Sequence, residues 1–259
     1  MANVKFDSNS RVSLSNADSG ANNTVFGKLA GNLLASGDTH NVFIGENVAD
    51  ADMTNAVENT AVGYSALSSL TEGDENTMIG RLAGRDVTTG SGNTMIGSAA
   101  GYQVDGGVAQ CVVIGRGALN AQATTAANGT VAIGYGAGAA ITSGAGNTLV
   151  GYAAGDAINS GENNTVLGYN ALGANVSGHL NVAIGVSALS SFIGGACVAI
   201  GREALRDLNH ASAADGTVAI GTGAGASLTS GAANVAIGYQ ALDTEDVGNY
   251  STAVGYQAL

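Results

Sequence analysis

A glycine returns every 16 to 20 residues along almost the whole chain: Gly27, Gly45, Gly63, Gly80, Gly97, Gly115, Gly134, Gly151, Gly168, Gly185, Gly201, Gly221, Gly238 and Gly255. Most intervals are 17 or 18 residues, and the fourteen copies share a local pattern, as in NVAIGYQAL (234–242) and STAVGYQAL (251–259). A period sustained in this way leaves few architectures open. One repeat cannot bury its apolar side alone, and stacking on its neighbours supplies the core, so the chain reads as a single solenoid rather than two unrelated domains.

With positions counted from the motif glycine, the columns carry the physics. Position −4 is Asn in nine copies: Asn23, Asn41, Asn59, Asn76, Asn93, Asn147, Asn164, Asn181 and Asn234. The other five hold Cys111, Cys197, Thr130, Thr217 and Ser251. Position −3 is Thr or Val, −2 is apolar, −1 is Phe, Ile, Val or Leu, +3 is Ala in thirteen copies, and +4 is Leu or Gly save Ala49. A short β-branched run ending at glycine is strand chemistry. The expected fold is therefore all-β, a parallel β-solenoid or β-roll of about 14 coils, with residues 1–22 outside the repeat as cap or anchor and 23–259 as the repeat domain. The segment x-x-Ala-Leu after the glycine suits either one helical turn or a second short strand, and the polar stretch beyond it reads as an exposed turn.

Alternate strand residues face opposite sides. Positions −1 and −3 share one face, which the reading assigns to the coil interior. Position −2 faces the other way and is apolar as well, so a second wall is expected there, most simply another subunit. Parallel stacking at about 4.8 Å per coil lines up the Asn residues, whose amides can bond along the axis as side-chain ladders do.

Composition narrows the task. The chain has 41 Gly, no Pro and no Trp, and only 11% charged residues, against about 25% in an ordinary soluble domain. Its apolar content is mostly Ala, Val and Ile, which suits thin regular layers. A net charge of −12 repels phosphate backbones, so nucleic acid is not an expected partner. MANVKFDSNSRVSLSN at the start carries no apolar run of signal-peptide length, and no segment approaches a membrane span, so neither Sec-type export nor membrane insertion is expected.

The repeats NTAVGYSAL (59–67), NVAIGYQAL and STAVGYQAL resemble the Asn-Thr-Ala-x-Gly-Tyr-x-Ala-Leu repeats of phage tail-fibre-type proteins, which often precede an intramolecular chaperone domain of the endosialidase type. They are more distantly similar to the head repeats of trimeric autotransporter adhesins, whose period is shorter. The resemblance implies a homotrimeric fibre of a virion, without enzymatic activity, whose outer surface meets a host glycan or protein. Residues 1–22 would join it to other virion or fibre proteins. Residues 1–259 show no coiled-coil stalk or membrane-anchor barrel, which counts against an autotransporter, and no chaperone domain; because residue 259 falls inside a repeat, a longer parent chain is the expectation. The alternative is a cell-surface adhesin or extracellular filament subunit, and a third class is a ligand- or ice-binding solenoid, or an enzyme riding on one. An outward Thr array would favour ice binding, and assigning the Thr column to the interior counts against it.

Chemistry-bearing residues are sparse. Cys111 and Cys197 occupy the Asn column five coils apart, too far for a disulfide. His40, His179 and His210 lie in polar turns without clustered ligands, so no metal site or cofactor is expected. Asp and Glu are scattered and read as solvated surface. GYGAGA (134–139) mimics a phosphate loop but recurs with the repeat and lacks a following Lys-Ser/Thr. Two features are candidates for surface recognition. Tyr135, Tyr152 and Tyr169 follow the glycine in consecutive coils and should form a ladder, either presented to sugar faces or lying as a lid over the coil edge. The longest intervals, 115–134 and 201–221, place extra residues in 118–130 and 204–217, the latter holding Arg206, Asp207, Asn209 and His210.

Overall fold

The computed structural model describes residues 10–14, 22–124, 127–208, 216–244 and 247–259. The β-branched triplet before each motif glycine forms a strand. The fold is an all-β parallel β-solenoid of about 13 turns, with no α-helix among the described residues. The fourteenth motif copy ends at Leu259, four residues past its glycine, so it adds a strand without a full turn.

Two compact units divide the chain, residues 1–125 and 126–259. In the first, β1 (Ser10–Leu14) runs antiparallel to β2 (Thr24–Lys28). From β2 onward the strands are parallel and in sequence order: β3 (Val42–Ile44), β4 (Thr60–Val62), β5 (Thr77–Ile79), β6 (Thr94–Ile96) and β7 (Val112–Ile114). The second unit repeats the arrangement with β8 (Val131–Ile133), β9 (Thr148–Val150), β10 (Thr165–Leu167), β11 (Val182–Ile184), β12 (Val198–Ile200), β13 (Val218–Ile220), β14 (Val235–Ile237) and β15 (Thr252–Val254). Within each unit every parallel pair matches −3 with −3 and −1 with −1, so like residues stack in columns. Of residues 1–22, those in 10–14 form β1 and lie along the edge of β2.

The motif glycine is required twice over. Its φ lies between 129° and 145° in every copy, a region essentially reserved for glycine. A Cβ there would also meet the next coil's glycine carbonyl, at 2.5 Å for Gly63 on Gly80 and 2.4 Å for Gly151 on Gly168.

The x-x-Ala-Leu segment is neither a helical turn nor a strand. Positions +2 and +4 both take positive φ, for example Ser65 at 49° and Leu67 at 54°, which no right-handed helix permits. Their N–H groups bond to neighbouring coils instead, Ser65 to the Glu46 carbonyl and Leu67 to the Ala83 carbonyl. Left-handed backbone costs about 1–2 kcal/mol per non-glycine residue, and these regular coil-to-coil bonds offset that cost.

Side chains from −2 and +4 share the coil interior. Position −2 is buried throughout, from Val25 to Ala253. Their sizes are complementary. Ala61, Ala183, Ala199 and Ala236 sit in coils with buried Leu67, Leu189, Leu205 and Leu242, whereas Met78, Met95 and Leu149 sit in coils whose +4 residue is Gly84, Gly101 or Gly155. A Cβ on Gly101 would lie 2.2 Å from Met95 Sδ, and one on Gly84 2.6 Å from Met78 Sδ. In the Ala132–Gly138 and Ala219–Gly225 coils the room is shared by a leucine of the neighbouring coil and a residue of the same coil: a Cβ on Gly138 would lie 2.7 Å from Leu149 Cδ1 and 2.9 Å from Ile141 Cδ1, and one on Gly225 2.8 Å from Leu205 Cδ2 and 3.1 Å from Leu228 Cδ1. This is the constant-volume packing that a close-packed interior demands.

The face assignment made from sequence is therefore reversed. Ile184 and Val182 are half-buried and point outward, while Ala183 is fully buried. The small Ala at −2 faces the interior because Leu from +4 already occupies it, and the bulkier β-branched residues find room only outside.

Candidate functional site

Buried between consecutive coils, the Asn column is a continuous amide ladder from Asn23 to Asn93 in the first unit and from Asn147 to Asn181 in the second. The Asn59 backbone N–H donates to Asn41 Oδ1 at 2.9 Å, and that of Asn76 to Asn59 Oδ1 at 3.0 Å. Asn76 Nδ2 also donates to Asn59 Oδ1 at 3.0 Å. In the second unit Asn147, Asn164 and Asn181 repeat both bonds, and Asn234 Oδ1 receives the Ser251 N–H. The second Nδ2 hydrogen goes elsewhere, to a carbonyl three residues before the next column position: Asn76 to Gly90 at 2.8 Å, Asn164 to Gly178 at 2.9 Å, Asn234 to Gly248 at 2.7 Å. Asn23 and Asn41 do the same with Asp38 and Ala56.

That acceptor belongs to position −7, which the sequence reading placed in an exposed turn. It is a second column of buried small residues, including Gly73, Gly90, Gly144, Gly161, Gly178 and Gly231. A Cβ on Gly90 would meet the Val108 carbonyl at 2.0 Å, and one on Gly144 the Gly161 carbonyl at 2.1 Å. The recurrence of glycine three residues before Asn is the signal that could have found it.

The cysteines are buried and form no disulfide. The Cys111 N–H donates to Asn93 Oδ1 and that of Cys197 to Asn181 Oδ1, both at 3.1 Å. Thr130 makes its own hydroxyl bond to the Ala127 carbonyl at 2.8 Å. A −7 carbonyl satisfied by its own coil needs no amide from the preceding column residue, and by sequence that residue is Cys111.

Outside the coil, −3 and −1 form two outward rails on each unit, part exposed and part half-buried. Phe26, Ile44 and Ile79 in the first unit, and Leu167, Ile220, Ile237 and Val254 in the second, are between 37% and 65% exposed. The Thr residues of position −3, among them Thr60, Thr77 and Thr94, lie on this same outward face. The Thr column is therefore exterior, and an interior placement no longer counts against ice binding. The −1 rail beside it is wholly hydrocarbon, however, and half of the −3 rail is Val.

Tyr135, Tyr152 and Tyr169 stack as expected from their consecutive coils, with centroids 5.0 and 5.3 Å apart and planes within 14°. Tyr152 is stacked on both faces and offers its edge and hydroxyl to solvent, while Tyr135 and Tyr169 each have one face against it. Arg206 is engaged within its own coil, donating from Nε to Asp207 Oδ1 at 2.9 Å and from Nη1 to Glu203 Oε2 at 3.0 Å. The guanidinium holds the Asp207 carboxyl below the usual carboxylate range. Asn209 and His210 lie outside the described residues.

Among the described residues no group of three or more His, Cys, Asp and Glu is placed to hold a metal. His179 Nδ1 accepts the Glu162 N–H and borders a groove of about 330 Å³ lined also by Leu180 and Ile193. No helix among the described residues is long and apolar enough to cross a membrane. Comparison with protein-family models, curated proteins and solved structures returned no match.

Proposed function

We propose that the protein is a non-enzymatic structural fibre or adhesion module, most simply of a virion, in which three copies pack through their outward −1 and −3 rails. The observation that carries the reading is the uncovered apolar sheet face. Soluble monomers rarely leave a large contiguous apolar patch open, and such patches mark interaction sites. Covering one side chain such as Ile44 or Ile220 is worth about 1 kcal/mol, while association costs roughly 4–15 kcal/mol. One or two coils cannot hold a partner, and a face repeated along many coils can. That length dependence suits a fibre. Residues 1–22 would attach it to other fibre or particle proteins, and the turns would meet a host glycan or protein. An adhesin or extracellular filament at a cell surface would use the same face.

Sedimentation equilibrium tests the reading. Particles of three 25.2 kDa chains are expected, and the double variant Ile184→Asp/Ile220→Asp should dissociate them while keeping the β circular-dichroism signal. A monomeric parent chain would overturn the proposal. A monomer that also inhibits ice recrystallisation would assign the Thr-bearing face to ice instead.

A further inference from the structure

Five tyrosines at position +1 of the second unit stack in three contacts. Tyr135 and Tyr152 have centroids 5.0 Å apart at 10°, Tyr152 and Tyr169 5.3 Å at 14°, and Tyr239 and Tyr256 5.3 Å at 11°. These rings are 46% to 74% exposed, so oxidant reaches them. The parallel register pins their Cα atoms about 4.8 Å apart. Two phenols on adjacent rungs of a rigid ladder therefore meet without diffusing, which is the condition under which an intramolecular coupling outruns its bimolecular counterpart.

We propose that these stacked pairs are oxidative cross-linking sites, at which peroxide acting through a one-electron haem peroxidase forms dityrosine staples between consecutive coils. Each phenol of a pair gives up one electron and its hydroxyl proton. The two radicals, with spin at the ring carbons ortho to oxygen, couple through one new C–C bond. The two ortho hydrogens then return to the oxygens as the rings regain aromaticity. In net, two C–H bonds break, one C–C bond forms, and the two hydrogens reduce one hydrogen peroxide to two waters. The product ties residues 17 apart in sequence across an interface that unfolding has to open. The remaining tyrosines differ. Arg85 lies 3.9 Å over the Tyr102 ring, and among the described residues Tyr64 and Tyr250 stack on no other tyrosine, although Tyr250 is the most exposed at 81%.

This inference is independent of self-association, and the experiment separates the two. The full chain is treated at low concentration with horseradish-type peroxidase and limiting hydrogen peroxide, then analysed by dityrosine fluorescence, denaturing gel and mass spectrometry after glutamate-specific cleavage. Glu162 lies between Tyr152 and Tyr169, and Glu245 between Tyr239 and Tyr256, so these two staples join separate peptides of a single chain. The expected products are these intrachain links, with loss of two hydrogens each, and slower unfolding of the stapled protein in denaturant. Tyr152→Phe should remove both links of the first ladder and leave Tyr239–Tyr256 intact. Absence of dityrosine, links led by the exposed Tyr250, or products that are mainly between chains would each overturn the proposal.

Discussion

Exchanging Met95 and Gly101 for the Ala and Leu found at the same positions two coils earlier should test whether the interior is packed by volume. Met95→Ala empties a fully buried site and is expected to cost about 2–5 kcal/mol. Gly101→Leu places a Cβ 2.2 Å from Met95 Sδ and adds a side chain to a filled interior, costing about 1–3 kcal/mol by overpacking and about 1–2 kcal/mol for leucine at φ 59°. The double variant re-creates the Ala61–Leu67 coil, in which leucine already holds φ 54°. It should lie within about 1.5 kcal/mol of the parent, giving a coupling of at least about 2.5 kcal/mol, at or above the top of the range seen for touching residues. Long repeat arrays break two-state behaviour, so the readout is native-state hydrogen exchange at the amides of Thr94–Ile96, with urea melts as support. Additive losses in the double variant would show that the two positions do not share one space and would refute the reasoning.

Three further outcomes follow from the geometry. Ala183→Asp buries an unpaired charge and should cost more than about 3 kcal/mol, whereas Val186→Asp, at a site 47% exposed, should shift the melting temperature little; thermal melts compare them. Asn76→Ala leaves the Gly90 carbonyl and the Asn93 N–H without partners, for about 1–3 kcal/mol each, and should open exchange at the β5 and β6 amides first. Burial pushes the Asp156 carboxyl above the ordinary carboxylate range, and its Oδ1 is buried without a partner. Its folded pKa exceeds the unfolded one, so stability is lost as pH rises through the folded value and is recovered below the unfolded value, about 3.9. Asp156→Asn should therefore raise the melting temperature at neutral pH, with the gain vanishing in acid.

The strands were legible because β-branched triplets closed by glycine admit one local structure, and the Tyr135–Tyr152–Tyr169 ladder was legible because its members recur in consecutive coils. The orientation of the strands was not. Both faces are apolar, and the usual guide, larger residues inside, fails where Leu at +4 already fills a thin interior and leaves room only for Ala at −2. Leucine at positive φ hid the +2 to +4 turn, since pattern reading assigns that conformation to glycine. Position −7 was hidden by its polar neighbours: a glycine beside Ser or Thr looks like a surface turn, yet at Gly90 and Gly144 the next coil's carbonyl stands 2.0 and 2.1 Å from where a Cβ would be. Of the recognition candidates, only the arrangement of the tyrosines was foreseeable, and not that Tyr152 would have both faces occupied.

The amide that links each Asn to the carbonyl three residues before its successor fixes which part of a coil can change length. Its span is 15 residues in Asn23, 14 in Asn76 and 13 in Asn181, following intervals of 18, 17 and 16 between the glycines. In these coils the inserted or deleted residues therefore fall between +4 and −7, and the block from −7 through +4 is a constant cassette. Tandem copying can lengthen such a chain by any whole number of cassettes, and foreign sequence can be grafted into the variable segment, without moving a single bond of the ladder. Growth and diversification are thereby uncoupled: the cassettes set reach, and the segments between them are free to drift.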